Sequence, residues 1–393
     1  MNKKLNTLFL TLLITIGLFI YLTLHHYAVK LGLSGNSLCS INEKLNCDAA
    51  ATSSFSELLG IPVAILGASF HLILFGFILF LKFDWFEKGP YSLATLRFLL
   101  LLAAVTSVVM GIISVVYVKV YCPFCMATYL FSFINLVLGW NLFSNTSQSI
   151  KPEKLQFLNY FTIYRSHLIL LLTIPVLAWV VNGMLQENYG LTEMKKIIPE
   201  KIMQWRASPE YTFNPAEGLI KKGSDSKVTL VEFADFKCPH CKNASTTIDA
   251  FLKGNPKVTF IFKPFPLDGS CNKAISTKGD GTRCTLAAWT LCAEKNEQRG
   301  WDVHHWIFEK QEELSQVVDL KPYLAELEKD LKINAAQLAS CSDSTETYEL
   351  MYRLAEEGNK AQVSGTPAIY MNGKKLPYGQ FLDILKTAAQ EFN

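Results

Sequence analysis

The chain is poor in charge of either sign. Of 393 residues, 37 are Lys or Arg and 34 are Asp or Glu, leaving a net charge of +3. No basic excess is available to neutralise a phosphate backbone, so composition argues against a nucleic-acid partner. Histidine is scarce, at seven residues. No His pair stands at helical ligand spacing near a Cys-x-x-Cys, and the adjacent His304 and His305 point to different faces, so no metal centre is expected. Internal repeats and low-complexity tails are missing too. Between Val120 and Ile150 there is no charged residue at all.

What the chain has in excess is apolar surface. Half of it is hydrophobic, and residues 1–185 carry nearly all the long runs, while 186–393 has ordinary globular composition. Five segments are long enough to cross a bilayer, for which about 20 residues suffice. They are Leu8–Tyr27, Ile61–Leu81, Phe98–Val118, Pro123–Phe143 and His167–Leu185. Lys3 and Lys4 precede the first, as in a signal peptide. Its apolar core is long, however, and neither a small-x-small cleavage site nor a lipoprotein-type residue before Cys39 follows, so it reads as a membrane helix. With the N-terminus inside, short inner segments hold Lys3, Lys4, Lys82, Lys88, Arg97, Lys151, Lys154 and Arg165, against Lys30, Lys44 and Lys119 outside. The positive-inside rule favours that orientation. All ten cysteines then fall at or beyond the outer face, as expected in an oxidising compartment.

Two of the cysteine pairs are Cys-Pro-x-Cys motifs in opposite settings. Cys122-Pro123-Phe124-Cys125 starts the fourth apolar segment, and Cys238-Pro239-His240-Cys241 follows the alternating strand Val228–Ala234. A Cys-x-x-Cys lets two thiols form and break a disulfide within one helical turn. Cys238 falls at an expected helix start, where unpaired N–H groups and the helix dipole favour a thiolate. It is therefore the expected attacking thiol and Cys241 the resolving one. Pro239 suits a first turn, and His240 can further favour the thiolate. Thr366-Pro367, after Gly365, is expected to be a cis bond at the entry of a strand, beside the sulfurs. For a lone Cys-x-x-Cys a structural disulfide or zinc site competes; strand, helix start and Thr-Pro in order favour redox activity.

The pattern β-α-β, helical insert, β-β-α over residues 223–393 reads as an α/β thioredoxin-like domain with an inserted helical subdomain. Strands are expected at Val228–Ala234, Val258–Phe262, Pro367–Met371 and Lys375–Leu376, with Gln186–Lys222 as a partly helical connector. Phe233-Ala-Asp-Phe-Lys-Cys-Pro-His-Cys241 and Val363-Ser-Gly-Thr-Pro367 resemble the disulfide-oxidising DsbA-like branch of the thioredoxin superfamily. The chain departs from simpler members at Cys271, Cys284, Cys292 and Cys341. These read as structural disulfides, with Cys271–Cys284 and Cys292–Cys341 suggested by chain order, although connectivity does not follow from sequence.

Cys39, Cys47-Asp-Ala-Ala-Ala-Thr-Ser53, Gly60-Ile-Pro-Val63 and Cys122-Pro-Phe-Cys-Met-Ala-Thr-Tyr129 together resemble the vitamin K epoxide reductase family, in its bacterial form fused to a thioredoxin-like domain. The resemblance implies an all-α four-helix membrane bundle over residues 1–145, holding a quinone (ubiquinone or menaquinone) near Cys122 and Cys125. Residues 146–222 would then supply a fifth transmembrane helix and a linker. Ser53 and Tyr129 fall on family positions, Tyr129 as a donor to a quinone carbonyl; packing or capping roles compete for both. His71 and Pro175 read as packing or kink residues. Two structural disulfides stapling outer loops are the bland alternative for the four membrane cysteines.

The resulting expectation is a multi-pass protein of the bacterial inner membrane with its C-terminal domain on the extracytoplasmic side. It would oxidise exported proteins with reduced cysteines and pass electrons through Cys238/Cys241, Cys39/Cys47 and Cys122/Cys125 to the membrane quinone pool. Competing functions are a quinone or vitamin K epoxide reductase fed by the soluble domain, and a membrane-anchored chaperone with structural disulfides only.

Overall fold

The computed structural model describes residues 2–31, 45–53, 55–83, 85, 90–142, 165–224 and 227–392. Cys39 lies outside the described residues. The chain forms two compact units, divided near residue 194.

The first unit is helical. Helices Asn2–Lys30, Val63–Lys82, Pro90–Ile113 and Pro123–Leu142 form where the apolar runs stand. Among the described residues, four helices are long and apolar enough to cross a membrane, over Leu5–Lys30, Val63–Lys82, Thr95–Val118 and Pro123–Trp140, which makes this a membrane protein. Helix Arg165–Asn188, with Pro175 inside it, covers the segment expected as a fifth crossing and packs against Val63–Lys82. Leu8, Leu12, Leu74, Phe77, Ile78, Leu96 and Leu100 form the bundle core. Leu13, Val109, Leu130 and Val137 face outward, which is costly against water and neutral against lipid. Polar ties lie inside: Thr11 donates to Asn135 Oδ1 (2.6 Å), and Asn135 to Thr15 (3.3 Å). Such hydrogen bonds hold apolar helices in register where no hydrophobic force acts between them.

The second unit is built on a five-stranded sheet ordered Leu219–Lys221, Thr259–Pro264, Thr229–Ala234, Ala368–Met371, Lys374–Lys375. Only Thr229–Ala234 and Thr259–Pro264 run parallel, with Val231 opposite Ile261. Helix Pro239–Gly254 is the crossover between them, and Leu382–Gln390 packs beside it. Phe233, Phe265, Val363 and Tyr370 fill the core on the sheet. The edge strand Leu219–Lys221 falls within the expected connector. Gly218 precedes it with φ +110°, and a Cβ there would strike the Phe262 carbonyl, so the close approach needs glycine.

Between Thr282 and Lys360 six helices form the insert. Two disulfides staple it, Cys271–Cys284 and Cys292–Cys341, spanning 13 and 49 residues of chain. Loop-closure entropy grows with span. Removing Cys292–Cys341 by a double Ala substitution is therefore expected to destabilise the domain by about 4 kcal/mol, against about 3 kcal/mol for Cys271–Cys284. Denaturant unfolding of the two variants checks the order.

Candidate active site: two cysteine centres

In the sheet domain, strand Thr229–Ala234 delivers the chain to a turn in which Cys238 N–H donates to Asp235 O (3.1 Å). Cys238 is the N-cap of helix Pro239–Gly254, with Pro239 in the first turn. The Cys238 carbonyl accepts from Cys241 N–H (3.1 Å) and Lys242 N–H (3.3 Å). Cys238 is half-buried, Cys241 fully buried, and the two form a reduced dithiol. The Thr366–Pro367 bond is cis, and Cys238 Sγ stands 3.4 Å from the Thr366 carbonyl.

Environment separates the two thiols. Hydrogen bonding from Cys241, then from the Thr366 side chain and the N–H groups of Cys241 and His240, outweighs partial burial and lowers the Cys238 pKa to about 5. Burial first, then the neighbouring Cys238 and Glu232, pushes Cys241 well above its ordinary value. At neutral pH Cys238 is a thiolate and Cys241 a thiol, the division of labour that attack and resolution require. A stabilised thiolate favours the reduced pair and makes the disulfide oxidising.

In the helical unit, the second centre is assembled from two separate segments. Leu45 bridges Tyr121, and Asn46 N–H donates to Tyr121 O (2.9 Å). Asn46 then caps the short helix Cys47–Thr52 through Ala49 N–H (2.9 Å). A π-helical turn, Ser114–Val118, ends the third long helix, and Lys119 at φ +58° redirects the chain to Cys122. These two devices bring Cys47 Sγ to 3.3 Å from Cys122 Sγ, both buried. Cys122 is disulfide-bonded to Cys125, whose N–H points at Cys122 Sγ (3.1 Å). Cys47 is disulfide-bonded as well. All three cysteines border a cavity of about 550 Å³ walled mainly by apolar side chains from the surrounding helices. Its size and lining suit a flat, largely apolar ring.

A sequence profile of the Vitamin K epoxide reductase family matches residues 7–140, and one described as Thioredoxin matches residues 223–388. The chain joins a vitamin K epoxide reductase domain to a thioredoxin-type domain. By family it is a thiol–disulfide oxidoreductase in both halves. Disulfide bond formation protein D of Bacillus subtilis is 27% identical over 175 residues, covering 42% of this chain and 73% of that protein. The probable disulfide bond formation protein D of Bacillus anthracis is 29% identical over 169 residues, covering 42% and 72%. Oxidised BdbD from Bacillus subtilis aligns with 47% of this chain and 97% of its own, at 22% identity and a TM-score of 0.40.

In the vitamin K epoxide reductase domain, Ser53 and Tyr129 both border the cavity. The Ser53 hydroxyl also donates to Ala50 O (2.9 Å), closing the short helix. His71, expected to be a packing residue, borders the same cavity. In the thioredoxin-type domain, His240 is exposed and helps Cys238 through its backbone N–H. Two contributors had no motif to announce them. Gln311, 4% exposed, donates to Phe236 O (2.8 Å) and Cys238 O (2.9 Å), tying the insert to the active-site turn. Glu232 is 1% exposed, and neither of its carboxyl oxygens has a hydrogen-bond partner among the described residues.

Proposed function

We propose that the chain forms disulfides in exported proteins and passes the electron pair, one cysteine pair to the next, to a membrane quinone. The observation that carries this reading is the 3.3 Å approach of Cys47 to the Cys122–Cys125 disulfide beside an apolar cavity. A client thiolate attacks Cys238 in its disulfide form and Cys241 leaves. The client's second thiol then releases Cys238, a good leaving group as a low-pKa thiolate. Cys238 next attacks the Cys39–Cys47 disulfide, and Cys241 resolves the adduct. Cys47 then attacks Cys122 and frees Cys125, and Cys39 attacks Cys47 in turn, which remakes the Cys39–Cys47 disulfide and leaves Cys122 and Cys125 as a dithiol. Cys122, Cys125, Ser53 and Tyr129 would hold the quinone, with the Tyr129 hydroxyl as donor to a carbonyl. The quinone, when bound, supplies the two-electron oxidant that restores the Cys122–Cys125 disulfide.

Tethering keeps the soluble domain at roughly millimolar effective concentration for a linker that spans the gap. The same reading puts the protein in the bacterial inner membrane, crossing five times, with residues 223–393 outside the cytoplasm. To test it, the full chain is placed in vesicles containing ubiquinone or menaquinone and given a reduced two-cysteine peptide. One quinone is expected to be reduced per disulfide formed. Cys125→Ala is expected to abolish quinone reduction from the outset and to stop peptide oxidation once the disulfides stored upstream are used. Peptide oxidation without quinone reduction, or quinone reduction indifferent to Cys125, contradicts the proposal.

A further inference from the structure

His71 lies midway along helix Val63–Lys82 and is 4% exposed. Its ring sits between Phe19 (centroids 5.0 Å apart) and Phe70 (5.6 Å), and all three residues border the cavity that holds the membrane cysteines. Phe19 reaches it only because residue 67 is glycine, since a Cβ there would collide with the Phe19 ring. His71 Nδ1 is 2.8 Å from Gly67 O. A carbonyl oxygen can only accept, so Nδ1 carries the proton, and in the neutral ring Nε2 presents a lone pair. Nε2 is buried and has no hydrogen-bond partner among the described residues. A buried acceptor without a donor is costly, and His71 borders a cavity that can admit one.

We infer that His71 Nε2 accepts a hydrogen bond from a hydroxyl of the hydroquinone, so that the cavity binds the reduced form more tightly than the oxidised one. This rests on the quinone reading above. An oxidised quinone offers carbonyl oxygens, which cannot satisfy a lone pair. A hydroquinone offers hydroxyl donors. Overall, the Cys122/Cys125 dithiol and a quinone give the disulfide and a hydroquinone. Two electrons and two protons leave the sulfurs and arrive on the ring, while His71 gains and loses none. Its effect is to favour the product side of that exchange, as a positioning residue.

The test is an anaerobic calorimetric titration of the detergent-solubilised full chain with menadione and, separately, with menadiol. The unsubstituted protein is expected to prefer menadiol. His71→Leu is expected to weaken menadiol binding about tenfold, the equivalent of one hydrogen bond, and to leave menadione binding within about twofold. Retained menadione affinity also reports an intact cavity. His71→Phe, which keeps an aromatic ring against Phe19 and Phe70 but has no acceptor, is expected to behave alike. Equal loss of both ligands, or no change in either, overturns the assignment and leaves the quinone reading standing. If the unsubstituted protein binds neither compound, the quinone reading falls, and this inference with it.

Discussion

Replacing Cys241 with Ala is expected to stop turnover and leave a client protein covalently held on Cys238. In that variant Cys238 keeps its place at the helix N-cap, beside the Thr366 carbonyl and the first-turn N–H groups. It still attacks disulfides, those of oxidised clients included, and with Cys241 gone only a thiol of the client itself can release the adduct. Turnover should fall on the order of 10³-fold or more, as when one member of a catalytic unit is deleted. Non-reducing electrophoresis and mass spectrometry should find a reductant-sensitive adduct at residue 238. Cys238→Ala should give equally low turnover and no adduct. In the unsubstituted protein, thiolate absorbance should titrate with a midpoint of about 5, leaving Cys238 about 99% ionised at pH 7. A chain whose Cys241→Ala form turns over normally, with nothing bound to Cys238, is not working through this pair.

How much of this was legible in the sequence depends on how local each determinant is. Membrane helices need only a long apolar run, and Pro123–Phe143 and Ile61–Leu81 anticipate Pro123–Leu142 and Val63–Lys82 to within two residues. The strand before Cys238 and the helix after it are equally local, since β-branched alternation and a Pro in the first turn mark them. The edge strand Leu219–Lys221 is only three residues long and followed by lysine, and it exists because Phe260–Phe262 offers a pairing partner. His71 is silent for a similar reason: its place beside the cavity depends on Phe19, which comes from another helix. Glu232 misleads by periodicity. In Thr-Leu-Val-Glu-Phe-Ala it reads as a solvent-facing polar residue, but its strand is central in the sheet and buried almost throughout. A central strand with both faces covered no longer obeys apolar-in, polar-out alternation.

That buried carboxyl leads to the second large effect. Burial first, then the negative neighbours Asp249 and Cys238, raises Glu232 to about 8. Cys241, the thiol that must lose a proton to resolve an adduct, is also held well above its ordinary value. Both groups hold protons at neutral pH. Roughly a tenth of Glu232 is ionised at pH 7, given a pKa of about 8. Glu232 and the cysteines feel one another's charge, and the ionised fraction is expected to serve as general base for Cys241. Glu232→Gln keeps the shape and can neither take nor give the proton. Resolution by Cys241 is expected to slow about 10²-fold, and the rise in its rate around pH 8 should vanish, with the Cys238 titration still near 5. Stability should move the other way. A carboxyl whose folded pKa exceeds its unfolded value contributes fully below about pH 4.5 and loses that contribution as pH rises through about 8. The Gln variant has no such loss, so it should exceed the unsubstituted protein in stability at pH 9, by up to about 5 kcal/mol on a shift of that size. Stopped-flow resolution rates across pH 6–9, with denaturant unfolding at both ends, measure the two effects independently. A variant that resolves at the normal rate, and whose stability still falls with pH, would assign the proton transfer to solvent and the pH dependence to another group.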